Sequence, residues 1–416
     1  MSAARSGAFR SLRHYNYRLW AGGALVSNIG TWVQRTAQDW LVFTILTHHS
    51  ASALGVVMAL QFAPLLLLLP WTGSAADHMD QRKLLIATQA AMGILALLLG
   101  VLTVSGAVRL WQVYAFALLF GSAAAFDAPV RQTFVGRLVG DGDLHNAVSL
   151  NSMSINIANL IGPAVSGVMI AAVGTGWAFL INGASFLAVL ASLLLVDRSA
   201  LQPSAQVQRT RGSFVQGLRY VAKRADLVAI LVMLFLVGTF GLNFPIFISV
   251  MAVKVFHADA RGYGLLSTIM ATGTIVGSFL SARRDRPSFG TLLWSAGLLG
   301  IGFTLAAFAP GYWTFAAALI VIGMAYLTFI NATNGLMQLS TEPAMRGRIM
   351  ALRIGVALGG MPIGAPAVGW VADHLGPRWA LGVGAASGFA AAAVGAYALM
   401  RARTRSMRPV VPALEG

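Results

Sequence analysis

Apolar residues fall in long blocks along almost the whole chain, with short polar gaps between them. A helix rises about 1.5 Å per residue, so about 20 mostly apolar residues cross ~30 Å of hydrocarbon. Blocks of that size lie at 19–46, 53–72, 84–105, 110–130, 147–173 and 176–196, and again at 227–252, 262–282, 290–309, 311–335, 349–373 and 378–400. The pattern predicts an all-α membrane protein with twelve transmembrane helices. The longest polar stretch, DRSALQPSAQVQRTRGSFVQGLRYVAKRAD, follows the sixth block. It divides the chain into an N-terminal six-helix bundle (1–196), a cytoplasmic linker (197–226) and a C-terminal bundle with a tail (227–416). Within the linker, Phe214, Leu218 and Val221 have helical spacing beside Arg219, Lys223 and Arg224, which suits an amphipathic helix on an anionic leaflet or a solvated loop.

Composition supports the membrane reading. The 416 residues are 57% hydrophobic and 10% charged, against about 25% charged in soluble globular chains. Mean hydropathy is +0.74. A net charge of +16 would attract nucleic acid if its carriers shared one soluble face, but here they sit in the gaps between apolar blocks. Arg and Lys gather in the gaps on the side of the N-terminus, leaving Arg109, Lys254, Arg261 and Arg378 opposite and Arg35 inside a block. Positive charge marks the cytoplasmic side, so both termini are expected there; Lys occurs only at Lys83, Lys223 and Lys254, a bias toward Arg that hints at a GC-rich bacterial source and hence a bacterial inner membrane. The opening MSAARSGAFRSLRHYNYRLW lacks a short apolar stretch with a small-residue cleavage site, so the first block is expected to serve as the insertion signal. Cysteine is absent, which removes disulfides and thiolate metal sites. No spaced His/carboxylate cluster, Ser/His/Asp set or phosphate-cradling Gly loop stands out, so no enzyme, cofactor or metal is expected.

The two halves resemble each other. GPAVSGVMIAAVGTGW (162–177) aligns with GAPAVGWVADHLGPRW (364–379) at an offset of 202, pairing Gly162 with Gly364, Gly167 with Gly369, Gly174 with Gly376 and Trp177 with Trp379. Leu150 and Leu352 keep the same offset. A constant offset spanning six blocks points to internal duplication.

Inside the first block, GTWVQRTAQDWLVF carries charge. Asn28, Thr31, Arg35, Gln38 and Asp39 fall on one helical stripe. A charge at bilayer depth costs several kcal/mol, so the stripe must face protein or water. Arg35 and Asp39 are four residues apart, which leaves two readings: a structural ion pair, or a cavity lining in which Asp39 carries a proton and Arg35 tunes it. Asp127, with Arg131 four residues on, reads as a gate or structural pair or as a second proton carrier. Asp373 is expected in solvent. Asn243 with Phe244, and Asn331 and Asn334, are candidates for the substrate cavity or for interhelical hydrogen bonds. The 16 Met and 22 Phe could form an adaptable apolar pocket.

Two local patterns carry a resemblance. GSAADHMDQRKLL (73–85) sits between the second and third blocks, and NLIGPAVSG (159–167) lies in the fifth. The first resembles motif A of the major facilitator superfamily and the second resembles its antiporter Gly-Pro motif. Segments such as NIGTWVQRTAQDWLVF, FDAPVRQTFV and LHNAVSLNS extend the resemblance along almost the whole chain, to the branch containing enterobactin-exporter-like and drug-efflux transporters. The resemblance implies two pseudo-symmetric six-helix bundles, a midplane site between them and alternating access. It implies a cytoplasmic gate built on Gly73, Asp77 and Arg82; Asp80 and Lys83 adjoin it in sequence, and Asp127 with Arg131 is a further candidate for the gate on the reading above. Asp80 stands where many members have Gly and Gln81 where many have Arg. Gly162, Pro163 and Gly167 are implied to be packing positions of an antiporter. The family's basic residue in the fourth span is missing from WQVYAFALLFGSAAAF, and the second-half segment GSFLSARRDR (277–286) has Ser281 in the acidic place.

The expected function is therefore export of a hydrophobic or amphiphilic small molecule, drug or siderophore-like, by proton antiport, in a monomer whose partners are substrate, protons and lipid. Uptake by the same fold, a non-coupled channel or scramblase, and a regulatory membrane protein are the alternatives.

Overall fold

The computed structural model describes residues 9–140, 142–202, 213–283 and 287–406, and every regular element among them is a helix. In chain order the α-helices are α1 (Tyr15–Trp40), α2 (Ala51–Leu67), α3 (Leu69–His78), α4 (Gln81–Val104), α5 (Leu110–Val139), α6 (Leu144–Val173), α7 (Thr175–Leu195) and α8 (Ser213–Ala222). The remainder are α9 (Ala225–Leu236), α10 (Phe244–Val250), α11 (Ala260–Ala282), α12 (Phe289–Ala307), α13 (Tyr312–Leu339), α14 (Arg346–Gly359), α15 (Met361–His374) and α16 (Pro377–Ser406).

Among the described residues, ten helical segments are long and apolar enough to cross a membrane. The two expected spans outside that number have physical reasons. The polar stripe of α1 lowers its hydropathy. The second span is broken at Leu68 into α2 and α3, because Pro70 has no N–H to continue the hydrogen-bond ladder. Proline also marks the other broken spans: Pro245 opens α10, and Pro362 follows the Gly360 break between α14 and α15. The outward faces are apolar; Phe308 is 78% exposed and Trp294 77%, a surface that only lipid solvates cheaply. The chain is thus a multi-pass membrane protein.

The contacts divide it into two compact units. The first comprises Met1–Gln208 with Pro245–Thr268 and Ala365–His374; the second comprises Arg209–Phe244, Ile269–Gly364 and Leu375–Gly416. In the first unit α7 packs on α4 and α1, and α6 on α1. In the second, α16 packs on α12 and α9, the same arrangement six spans later. The duplication reaches individual side chains. Trp111 and Trp313 are 202 residues apart and both exposed at helix starts, as are Trp177 and Trp379, a position suited to interfacial anchoring. Gly162 abuts Trp32 of α1, and its counterpart Gly364 abuts Thr239 just beyond α9. At both positions any Cβ would collide with the neighbouring helix.

Local chemistry fixes the ends. Arg10 Nε and His14 Nε2 each lie 2.8 Å from an Asp143 carboxylate oxygen, and Tyr17 Oη donates to the Ala147 carbonyl at 2.9 Å. The hydrogen bond from His14 and the nearby positive charge hold the Asp143 carboxyl below its ordinary value. Asp373 is not solvated as its position in the sequence suggested. Its Oδ1 accepts from Ala51 N (2.9 Å) and Lys254 Nζ (3.0 Å), and its Oδ2 from Ser52 N (2.8 Å) and Ser50 Oγ (3.1 Å). A carboxylate at the N-terminus of α2 satisfies otherwise orphaned amides and meets the positive end of the helix dipole. Asp373→Ala is expected to cost about 1–2 kcal/mol, read as a lower melting temperature in detergent; an unchanged melting curve would refute this anchoring role. The linker forms α8, where Val221 is buried and Leu218 exposed, and Val221 joins Val228, Leu231 and Val356 along an apolar groove. Residues 203–212 and the side chain of Phe214 lie outside the described set.

Candidate functional site

The stripe on α1 separates into two polar clusters. At its N-terminal end, Asn28 Nδ2 donates to Ser154 Oγ (3.4 Å) and Asn28 Oδ1 accepts from Arg131 Nη1 (2.5 Å). Arg131 Nε and Nη2 donate to Asp127 Oδ2 at 2.9 and 2.6 Å. Asp127 Oδ1 accepts from Thr88 Oγ1 (3.0 Å) and Gln89 Nε2 (2.7 Å), and Ser27 Oγ donates to Gln89 Oε1 (3.2 Å). One connected network therefore joins α1, α4, α5 and α6. Asp127 and Arg131 are both well buried, with side chains 6% and 12% exposed. The fourth span is consequently not free of basic residues, contrary to its hydropathy block, because α5 continues to Val139 and carries Arg131 inside the helix.

At the other end the polar groups are unsatisfied. Gln38 Nε2 donates to the Val113 carbonyl at 3.2 Å, and Thr31 is half-buried. Asp39 is 4% exposed, its Oδ1 without a hydrogen-bond partner. Gln61 Nε2, Ser249 Oγ and Arg35 Nε are likewise buried and unpartnered. Arg35 and Asp39 form no ion pair among the described residues; the guanidinium instead lies over the rings of Trp32 and Phe62, at 5.4 and 4.9 Å. Directly after Asp39 and Trp40 the backbone widens into a π-helical stretch, Leu41–Leu46, a distortion frequent at functional sites. The ring of Tyr263 on α11 lies tilted against Trp40 at 5.5 Å, within electrostatic reach of Asp39. Buried polar atoms are almost always paired, so four unpaired ones are a reason to look for chemistry. A carboxyl oxygen with no hydrogen-bond partner can take up or release a proton without dismantling a structural bond.

The expected cytoplasmic gate residues take varied roles. Asp80 Oδ1 caps α4, accepting from Arg82 N (2.9 Å) and Lys83 N (3.1 Å). Arg82 Nε and Nη2 donate to the carbonyls of Leu193 and Leu194 at 2.7 and 3.1 Å, closing the C-terminus of α7. Lys83 is exposed and Gly73 half-buried; the side chain of Asp77 lies outside the described residues. On α6, Pro163 sits within the helix, and a Cβ on Gly167 would meet Gly264 Cα and the Ala260 carbonyl at 2.8 Å.

In the second unit, Asn243 Nδ2 donates to the Thr239 carbonyl (2.8 Å) while its Oδ1 is unpartnered. Phe244 meets Phe303 at 6.3 Å and Tyr326 at 5.2 Å. Asn331 and Asn334 are half-buried, and Asn334 Oδ1 accepts from Gln338 Nε2 at 3.4 Å. Sequence reasoning missed Arg353, which lies inside the apolar block at 349–373 without being singled out and is 9% exposed within α14. A signal existed: the 202-residue offset that pairs Leu150 with Leu352 also pairs Asn151 with Arg353, and Asn151 is buried at 6%. The Gln34–Asn182 contact between α1 and α7 was also missed.

A family model described as transmembrane secretion effector matches residues 6–411. The staphyloferrin A transporter of Staphylococcus aureus is 29% identical over 254 residues, 61% of this chain and 63% of that protein, so the match spans less than two thirds of it. Multidrug efflux pump Tap of Mycolicibacterium fortuitum is 27% identical over 376 residues, covering 85% of this chain and 88% of the pump. Among solved structures the nucleoside transporter NupG superposes with a TM-score of 0.74 at 13% identity, covering 92% of this chain and 99% of that one. At that identity the likeness is one of fold.

Proposed function

This chain belongs to the transmembrane secretion effector family of the major facilitator superfamily, and we propose that it exports a hydrophobic or amphiphilic small molecule from a bacterial cell by proton antiport. Transport across the membrane follows from the family; direction, coupling and cargo are the proposal. The observation that carries it is Asp39, a buried carboxyl whose Oδ1 has no partner, on a helix that also holds the unpaired Arg35 Nε. Likeness to a protein named as an efflux pump supports the outward direction.

In this reading Asp39 holds a proton during one half of the cycle and releases it during the other. Arg35, anchored over Trp32 and Phe62, carries a positive charge one helical turn before Asp39. Gly73, Asp77 and Arg82 act as the cytoplasmic latch, with Asp80 and Lys83 shaping the start of α4. Both termini face the cytoplasm, and the protein works as a monomer by alternating access.

The test is a drug and siderophore susceptibility panel in a host stripped of its own pumps, with Asp77→Asn beside the wild type. Wild type is expected to raise tolerance to at least one amphiphile, and Asp77→Asn to lose most of that gain at equal expression. Greater sensitivity would reverse the direction to uptake. Flux in proteoliposomes that ignores an imposed pH gradient would replace antiport with a channel or scramblase.

A further inference from the structure

The second unit contains a buried cation that the helices around it do not neutralise. Arg353 projects from α14 and is 9% exposed. Its Nη2 donates to the Ile330 carbonyl at 3.0 Å and, at 3.4 Å, to Thr333 Oγ1, both on α13. Its Nε is buried with no hydrogen-bond partner. Among the described residues no carboxylate pairs with it.

Arg131 and Arg82 spend their donors differently, and Arg35, whose Nε is also unpartnered, lays its guanidinium over the rings of Trp32 and Phe62. Arg131 delivers Nε and Nη2 to one carboxylate, and Arg82 delivers the same two atoms to the carbonyls ending α7. Carbonyls are partial compensation for a full charge at this depth, where desolvation costs several kcal/mol. Holding α13 to α14 would require only a neutral amide, which cannot account for a guanidinium with Nε left over. That fork of donors matches an oxyanion bidentately.

The neighbours say what else the anion carries. Tyr326 of α13 lies within electrostatic reach of Arg353, and its ring packs edge-on against Phe244, which stacks on Phe303. Tyr326 and Phe244 are half-buried, so part of this aromatic group remains accessible. A hydroxyl and a guanidinium beside accessible rings suit a carboxylate or sulfonate attached to a flat apolar body.

We propose that Arg353 is an anion-recognition residue, binding a molecule that bears a carboxylate or sulfonate on an apolar body, with Arg353 Nε and the Tyr326 hydroxyl on the oxyanion and Phe244 against the body. That this molecule is the exported cargo rests on the function proposed above; the binding itself does not.

The test uses two dyes on the same xanthene frame, anionic fluorescein and cationic rhodamine 123, titrated by fluorescence anisotropy against the full chain in phosphatidylcholine nanodiscs. Fluorescein should bind the wild type, weaken about tenfold or more in Arg353→Gln, as loss of a charge-assisted hydrogen bond implies, and weaken less in Arg353→Lys, which keeps the charge and loses the fork. Rhodamine 123 should not lose affinity in either variant, whereas a purely structural role would weaken both dyes together. Tyr326→Phe provides a milder variant should Arg353→Gln not fold, and is expected to weaken fluorescein several-fold. Equal fluorescein affinity in wild type and Arg353→Gln, or in wild type and Tyr326→Phe where only that variant folds, overturns the proposal, as does a wild type that binds no fluorescein.

An anionic lipid headgroup has the same oxyanion chemistry. Repeating the titration with phosphatidylglycerol in the disc separates the sources: unchanged affinity supports a soluble ligand, and competition that disappears in Arg353→Gln assigns the site to lipid and overturns the cargo reading. Dye binding without any flux in proteoliposomes would sink the export function and leave the site standing.

Discussion

Asp39→Asn is expected to abolish pH-gradient-driven efflux in proteoliposomes, a loss of at least about a hundredfold, while the protein expresses and melts at the wild-type temperature or above it. Asparagine has nearly the shape of aspartate, so α1 keeps its packing against α5 and α6. What it lacks is a titratable proton. In most buried sites replacing a carboxylate removes partners and destabilises; here Oδ1 has no hydrogen-bond partner to lose, and an amide of the same shape costs less to bury than a carboxylate. The two readouts therefore move in opposite directions, which a damaged fold cannot imitate. Substrate exchange without a pH gradient should survive, because it requires alternation of the carrier and no net proton movement. A mutant that still concentrates substrate against its gradient in response to pH would remove Asp39 from the coupling.

Hydropathy carried the architecture because lipid imposes a long, uniform demand: about twenty apolar residues per crossing. The blocks predicted where helices run, and the 202-residue offset predicted that the halves pack alike, which the Gly162–Trp32 and Gly364–Thr239 contacts display. Charges near block edges were harder to place. A block average ends where charge begins, so Arg131 falls in a gap although its helix continues through it, whereas Arg353 counts with the cytoplasmic charges although it lies inside the block at 349–373. Asp373 was misread for a related reason: the residues it holds, Ser50 to Ser52 and Lys254, lie more than a hundred positions away. Asp80 illustrates the reverse case, since an Asp directly before a helix start is a cap signal that needs no tertiary information. Along the α1 stripe, periodicity located the polar face, but only the fold distinguishes a satisfied Asn28 from an unsatisfied Asp39.

Asp127→Leu should behave in the opposite way to Asp39→Asn. The Asp127 carboxylate accepts from Arg131, Thr88 and Gln89, and through Arg131 it reaches Asn28. Removing it leaves a guanidinium 12% exposed facing an apolar side chain, and breaking one partner of such a buried pair costs about 3–5 kcal/mol. The melting temperature in detergent is expected to drop on the order of 10 °C. Replacing both members, Asp127→Leu with Arg131→Met, removes the stranded charge, so the double variant should recover most of that loss despite carrying more changes. Additive losses would mean that Arg131 finds another partner or reaches water once Asp127 is gone. Were the single variant as stable as wild type but inactive, Asp127 rather than Asp39 would become the better candidate for the proton carrier, because its hydrogen bonds would then contribute nothing that the fold requires.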